Sequence, residues 1–154
     1  FTVYGPWGRP DMAYFRMITN VIAGTEFNFF GDGSIERDFT FISDAVSSVI
    51  NLTMELEGRK PGFSDVVNLG GGRPLSMNYL LDTVGSLTGK KVNFERFETN
   101  RNDATKTMSD ASYIQKLIGS KPSIKLEDGI AKTIDWASRD VISTNLDKWV
   151  KSVK

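Results

Sequence analysis

Segments typical of strands and of helices alternate along these 154 residues, and the connections between them are short. Runs rich in β-branched and aromatic residues are followed by stretches in which apolar residues recur at helical spacing. A chain that alternates in this way packs its helices against a sheet. The alternation therefore predicts an α/β fold built from mixed strands and helices.

Helices are predicted where apolar residues recur every three to four positions behind a residue that can cap a helix. They span about residues 11–23, 43–57, 76–88, 110–118 and 126–141. The predicted capping residues are Asp11, Ser43 or Asp44, and Ser76. Two of the helices are predicted to end at Gly24 and Gly89.

One face of the second helix is predicted to be buried. Val46, Val49, Ile50 and Met54 recur at helical spacing, so we expect them to face the core. A short amphipathic tail at residues 146–150 is expected to pack back onto the rest of the chain.

Strands are predicted at residues 1–4, 26–30, 37–42, 65–70 and 92–97. Gly31, Asp32 and Gly33 form a turn signal after the second of them. The run at 66–69 is apolar apart from Asn68 and leads into three glycines, which is typical of a strand buried on both faces of a parallel sheet. Such a strand needs neighbours on both sides. We therefore expect further strands upstream of Phe1 and interpret the chain as incomplete.

The composition removes several kinds of chemistry from consideration. The chain has no Cys and no His, so thiolate nucleophiles, Ser-His-Asp triads and His-ligated metal sites are excluded within it. The absence of Cys fits a reducing compartment, and we expect a cytoplasmic location. Lys plus Arg and Asp plus Glu number 19 each, so neither nucleic acid nor a membrane surface is predicted as a partner.

Residues 31–44 are the segment most indicative of function. A glycine turn follows a strand, and Arg37 stands at the start of the next strand. An arginine fixed there presents a planar group suited to phosphate oxygens. The alternative is a surface ion pair between Arg37 and either Asp38 or Asp44, which is the more common arrangement.

Three ordered motifs together resemble a known family. They are Y-G-P-x-G-R-P-D-M at residues 4–12, G-D-G-x-x-x-R-D-F-x-x-I-x-D at 31–44 and V-N-L-G at 67–70. The pattern is similar to that of the extended short-chain dehydrogenase/reductase family, within it the NAD-dependent nucleotide-sugar epimerases and, through GRPDM, the UDP-glucuronate 4-epimerases. The resemblance extends from Phe1 to about Val141.

This resemblance implies that residues 1–154 are the C-terminal, substrate-binding part of a Rossmann-type enzyme, carrying the last strands of its sheet. The family's glycine fingerprint and its Tyr-x-x-x-Lys pair are missing, because Gly8, Ile18, Thr83 and Leu117 stand four residues after the tyrosines. The NAD-binding part, through which a homodimer is also possible, is therefore expected to be absent. No catalytic residue and no metal ligand is predicted in this chain.

The resemblance also implies roles in substrate binding. Arg9 and Arg37 match arginines that contact the UDP pyrophosphate, and Thr2 matches a threonine near the sugar carboxylate. Asn28 and Phe30 match the strand beside the uracil, where Phe30 packs on the base. As alternatives, Thr2 is an ordinary β-branched strand residue and an aromatic residue at this spacing belongs to the core, so the neighbouring Phe29 is expected to point inward.

Asp103 matches an aspartate that contacts the ribose. The chain departs from the family pattern just before it, where Asn100 and Asn102 replace the usual Arg or Gln and the usual Gly. Arg101 is then either a third phosphate contact or a solvent-facing residue.

Tyr4, Gly5 and Pro6 match a loop that closes over the nicotinamide end of NAD. The alternative is a plain turn that requires Gly and Pro for its backbone conformation.

The resemblance implies a redox-neutral reaction. NAD takes a hydride from the sugar ring, a 4-keto intermediate forms, and the hydride returns to the other face. The chain is expected to hold the UDP-sugar and to be inactive alone. A nucleotide-sugar 4,6-dehydratase and a non-catalytic nucleotide-binding module remain as alternatives.

Overall fold

The computed structural model describes residues 1–99 and 103–141, so the predicted tail at 146–150 and residues 100–102 lie outside the described part. The strands are β1 (Thr2–Tyr4), β2 (Phe27–Phe30), β3 (Glu36–Phe41), β4 (Pro74–Ser76) and β5 (Phe94–Phe97). The α-helices are α1 (Ala13–Ala23), α2 (Ile42–Glu57), α3 (Met77–Thr88), α4 (Ser112–Ile118) and α5 (Leu126–Trp136). A π-helical turn, Ala137–Val141, continues α5. The predicted α/β class is confirmed.

Two small sheets organise these elements. In the first, β3 is central, parallel to β1 and antiparallel to β4, and in the second β2 runs parallel to β5. Thr2 stands opposite Phe39 in the β1–β3 register. Because side chains alternate along a strand, Thr2, Arg37 and Phe39 share one face of the sheet, and Asp38 and Thr40 occupy the other.

The core is aromatic where β1, β3 and α1 meet. Tyr4 lies within 5.4–5.9 Å, ring centre to ring centre, of Tyr14, Phe39 and Phe41, in edge-to-face arrangements. Burying a large apolar side chain contributes about 1.5–3 kcal/mol. The side of α1 that faces inward is fully buried, and it packs against α3, which in turn packs against α5.

The helix boundaries test the predicted caps. Ser76 Oγ accepts a hydrogen bond from the Tyr79 amide at 3.1 Å, as predicted. Gly24 and Gly89 end α1 and α3 in the left-handed region with φ of 70° and 62°. The caps predicted in α1 and α2 are wrong, because neither helix has a side-chain cap. Asp44 instead accepts hydrogen bonds from the Ser123 and Ile124 amides.

The predicted strand at 65–70 is wrong. These residues form no strand, and Val66 is 88% exposed. A strand exists through hydrogen bonds to a neighbour, and within the described ranges none of the other segments pairs with this one.

The predicted inward face of α2 is also wrong. Val46, Val49, Ile50 and Met54 are 48–65% exposed, and α2 buries Ala45 and Ser48 instead. The helix turns its small residues toward its neighbours, which include β1, β3 and α4.

None of the described helices combines the length and apolarity needed to cross a bilayer.

Candidate functional site

A cavity of about 480 Å³ opens between the start of α1 and the strands β2 and β3. This volume is typical of sites for small ligands, which run to about 300–1,000 Å³. Its lining includes five of the residues that the sequence singled out: Thr2, Asn28, Phe30, Arg37 and Asp103. Residues that are 101 positions apart in the chain, Thr2 and Asp103, therefore meet at one site.

Arg37 is held in the cavity wall by main-chain oxygens. Its Nη1 donates to the carbonyls of Glu36 at 2.9 Å and Ala104 at 2.7 Å, and Nη2 lies 3.7 Å from Asp103 Oδ1. A guanidinium has five N–H donors, so Arg37 keeps donors free of hydrogen-bond partners among the described residues. Its side chain is 20% exposed, whereas that of Asp103 is 58% exposed. The pair presents a fixed cation beside an accessible carboxylate.

Asp38 lies on the other face of β3 and does not pair with Arg37. It is fully buried and accepts hydrogen bonds from the amides of Gly72 at 3.0 Å, Arg73 at 3.4 Å and Ser109 at 2.8 Å. The predicted alternative, a surface ion pair of Arg37 with Asp38 or Asp44, is therefore wrong. Gly70 is required beside Asp38, since a Cβ there would lie 2.8 Å from its Oδ2.

The strand β2 gives the cavity an aromatic wall. Phe29 points into the core, as predicted, while Asn28 and Phe30 are exposed on the opposite face. Phe30 is 49% exposed and its ring centre lies 5.7 Å from that of Phe97 on β5. An exposed aromatic side chain supported from one side offers a free face for stacking.

The structure does not bring Arg9 into the cavity. The side chain is 76% exposed and binds Asp11, with Nε donating to Oδ1 at 3.0 Å. The hydrogen bond from Arg9 lowers the pKa of the Asp11 carboxyl. The role of Arg9 in pyrophosphate binding stays a prediction.

The predicted cofactor loop does not line this cavity either. The Tyr4 side chain belongs to the core, where its hydroxyl donates to the carbonyls of Lys125 and Leu126 at 3.4 Å and burial raises its pKa. Gly5 has a φ of 137°, and a Cβ there would lie 2.6 Å from Ile42 Cγ2. The atoms left in this loop to contact a nicotinamide are therefore mainly the main-chain atoms of Tyr4, Gly5 and Pro6. The fit to NAD is incomplete in the described chain, and the role of these residues stays a prediction.

The loop after β1 carries a strained residue. Gly8 donates from its amide to the Gly5 carbonyl at 3.3 Å, and Trp7 sits within this turn at a φ of 62°. Bulky residues rarely adopt this region. The Trp7 ring is 80% exposed and its centre lies 5.4 Å from that of Trp136.

The lining residues around the start of α1 were not predicted from the sequence. Asp11, Met12, Ala13 and Arg16 line the cavity in addition to the predicted residues. A signal was present, because Arg16 is the single charged residue in the α1 sequence AYFRMITNVIA. The helix is otherwise uncharged, so its one cation was a candidate for binding an anion.

Comparisons with known proteins show what the chain is similar to. Residues 1–70 match the NAD dependent epimerase/dehydratase family. The UDP-glucuronate 4-epimerase of Thermodesulfobacterium geofontis is 36% identical over 155 residues, which cover 100% of this chain and 44% of that protein.

Two solved structures are similar across most of the chain. MoeE5 in complex with UDP-glucuronic acid and NAD is 32% identical with a TM-score of 0.81, over 90% of this chain and 45% of its own. TunA, an NAD-dependent NDP-hexosamine 5,6-dehydratase, is 31% identical with a TM-score of 0.78, over 96% of this chain and 45% of its own. The chain thus spans less than half the length of these relatives.

Proposed function

The chain belongs, through residues 1–70, to the NAD-dependent epimerase/dehydratase family, and we propose on this premise that its cavity binds a UDP-sugar. The single observation that carries the proposal is the Arg37 guanidinium, which two carbonyls hold in the wall of a cavity of ligand size with donors left for an anion. A charge-assisted hydrogen bond is worth roughly 1.5–3 kcal/mol, so such a cation is suited to a diphosphate.

The other lining residues support the same ligand. Asp103 is an exposed carboxylate 3.7 Å from Arg37 and accepts hydrogen bonds from hydroxyl groups such as those of a ribose. Phe30 offers an aromatic face for the base, with Asn28 on the same side of β2. Thr2, on the same sheet face as Arg37, brings a hydroxyl to the sugar end.

The proposed reaction is 4-epimerisation of the sugar through a 4-keto intermediate. When bound, NAD supplies the hydride acceptor and donor. The residues of this chain bind and orient the nucleotide sugar, and residues 1–154 are proposed to be the substrate-binding part of the enzyme. Because the chain has no Tyr-x-x-x-Lys pair, it is proposed to be inactive without an NAD-binding part, through which a homodimer is also proposed.

The proposal extends to the surroundings of the enzyme. A cytoplasmic location is proposed on the absence of Cys, and balanced charge supports a small-molecule partner rather than a nucleic acid or a membrane.

A nucleotide-sugar dehydratase is the second candidate. The dehydratase TunA is about as similar to this chain, in sequence and in structure, as MoeE5 is. The described cavity holds the nucleotide in either case. The two reactions differ in their product, since a dehydratase releases water and leaves a deoxygenated carbon that proton NMR detects.

Calorimetric titration with UDP tests the proposed cavity. We expect one site on the chain, and binding at least about tenfold weaker in Arg37→Gln, which keeps part of the side chain but loses the charge. Arg59→Gln is the matched control, because Arg59 pairs with Glu55 on the surface of α2 and does not line the cavity. Absence of binding by the folded chain, or equal binding by Arg37→Gln, contradicts the proposal.

A further inference from the structure

Arg16 brings a second positive charge to the cavity from α1. It lies in the first turns of the helix, is half-buried and lines the cavity together with Met12 and Met17. Arg37 reaches the same cavity from β3. Two guanidinium groups thus approach one space from two separate elements.

The cavity's other charged side chains are already paired. Asp11 binds Arg9, and Asp103 lies beside Arg37. The Arg16 side chain has no hydrogen bond or ion pair with any residue in the described ranges, 1–99 and 103–141. The opposite charges within each of these two pairs cancel. The positive charge of Arg16 is therefore not balanced by a carboxylate among the described residues that line the cavity.

A half-buried guanidinium with no acceptor among the described residues keeps its N–H donors available for an anion. We propose that Arg16 binds an anionic group of the ligand, together with Arg37, and so sets the charge that the site selects. This inference rests on the proposed nucleotide-sugar site. The anionic group has two possible sources, the diphosphate of the nucleotide or the carboxylate of a sugar acid, and both suit a guanidinium.

A neutral side chain is expected to fit at position 16. The carbonyl of Arg16, rather than its side chain, accepts the local hydrogen bonds, from Thr19 Oγ1 at 3.2 Å and Asn20 Nδ2 at 2.7 Å. Glutamine keeps the first methylene groups and has good helix propensity. Arg16→Gln therefore removes the charge and leaves the contacts of α1 in place.

The test is calorimetric titration of the chain and of Arg16→Gln with UDP, UDP-glucose and UDP-glucuronate. We expect binding to weaken at least about tenfold for an anion that Arg16 contacts. An equal loss with all three ligands assigns Arg16 to the diphosphate. A loss confined to UDP-glucuronate assigns it to the sugar carboxylate. Arg59→Gln serves again as control and is expected to bind all three ligands like the unaltered chain.

A second measurement does not depend on any variant. In the unaltered chain, the NMR signal of the Arg16 Nε–H group is expected to shift as the ligand saturates the site. Equal binding by Arg16→Gln, or an unmoved Arg16 signal at saturation, overturns this inference and leaves the Arg37 site standing. A folded chain that binds none of the three ligands overturns this inference and the proposed function together.

Discussion

The helices α1 and α2 are both apolar on one side, yet the fold uses them differently. In α1 the apolar side is buried, and Met17 and Ile18 are 0% and 1% exposed. In α2 the corresponding side stays open, with Ile50 at 54% and Met54 at 65%. Periodicity identifies the apolar side of a helix, but residues distant in the sequence decide whether that side is covered.

The largest expected effect on stability comes from replacing one isoleucine by alanine in each of the two helices. Ile18→Ala leaves a cavity in the core, and we expect the free energy of unfolding to fall by about 2–5 kcal/mol. Ile50→Ala removes the same atoms from an exposed position, so a change within about 0.5 kcal/mol is expected. Urea denaturation followed by circular dichroism measures both. Comparable losses would show that α2 is as buried as α1.

A smaller effect is expected from adding a methyl group to two glycines. A Cβ on Gly129 in α5 would lie 2.8 Å from Phe41 Cδ2 and would meet the Tyr4 hydroxyl. Gly129→Ala is therefore expected to lower the free energy of unfolding by about 1–3 kcal/mol. Gly58, at the end of α2, has a right-handed backbone, and a Cβ there would meet only the Glu55 carbonyl oxygen, at an ordinary contact distance of 3.8 Å.

Gly58→Ala is expected to raise the free energy of unfolding by about 0.4–1 kcal/mol, because alanine restricts the unfolded chain. The same denaturation series measures both glycine variants. A stabilised Gly129→Ala would contradict the tight packing of α5 against β1 and β3.

The smallest effect is expected from two surface pairs of the same chemistry. The Tyr79 hydroxyl donates to Glu127, joining α3 to α5, and the Tyr113 hydroxyl donates to Asp65 near α2. These hydrogen bonds lower the pKa of each carboxyl and raise the pKa of each tyrosine. The stabilisation is therefore present above the carboxyl's unfolded pKa of about 4 and is lost as pH falls through the lower folded pKa.

On the alkaline side, each pair's stabilisation is complete below the tyrosine's unfolded pKa of about 10 and is lost as pH rises through the higher folded pKa. Tyr79→Phe and Tyr113→Phe are expected to lower the melting temperature slightly and to similar extents at neutral pH. Neither difference should persist in acid. Thermal melts from acidic to neutral pH measure this, and a much larger effect at Tyr79 would mean that the two sides of the molecule differ in polar pairing as well as in apolar burial.

Features of the fold with local causes were predictable. The alternation along β2 buries Phe29, the Ser76 hydroxyl caps α3, and Gly31 and Gly33 turn the chain at φ of 77° and 84°. Each depends on residues a few positions apart. The predicted strand at 65–70 is wrong because strands depend on partners that are not local.

The residues of the candidate site also fall into some that the sequence predicted and some that it did not. Arg37 was identifiable because a glycine turn and a strand frame it, and Asp103 entered through the family resemblance. The exposure of Arg9 was not predicted: its side chain pairs with Asp11, which lines the cavity, and does not itself line it. Arg16 was missed because helical spacing drew attention to its apolar neighbours.

The buried carboxylate of Asp38 has a consequence for the residue before it. Three amides, from residues 72, 73 and 109, anchor Asp38 behind the strand, while Arg37 faces the cavity in front. These hydrogen bonds hold β3 in place behind Arg37, so little conformational entropy is expected to be lost when Arg37 binds an anion. Anion binding by Arg37 on one face of the strand therefore depends on the hydrogen bonds that Asp38 makes on the other face.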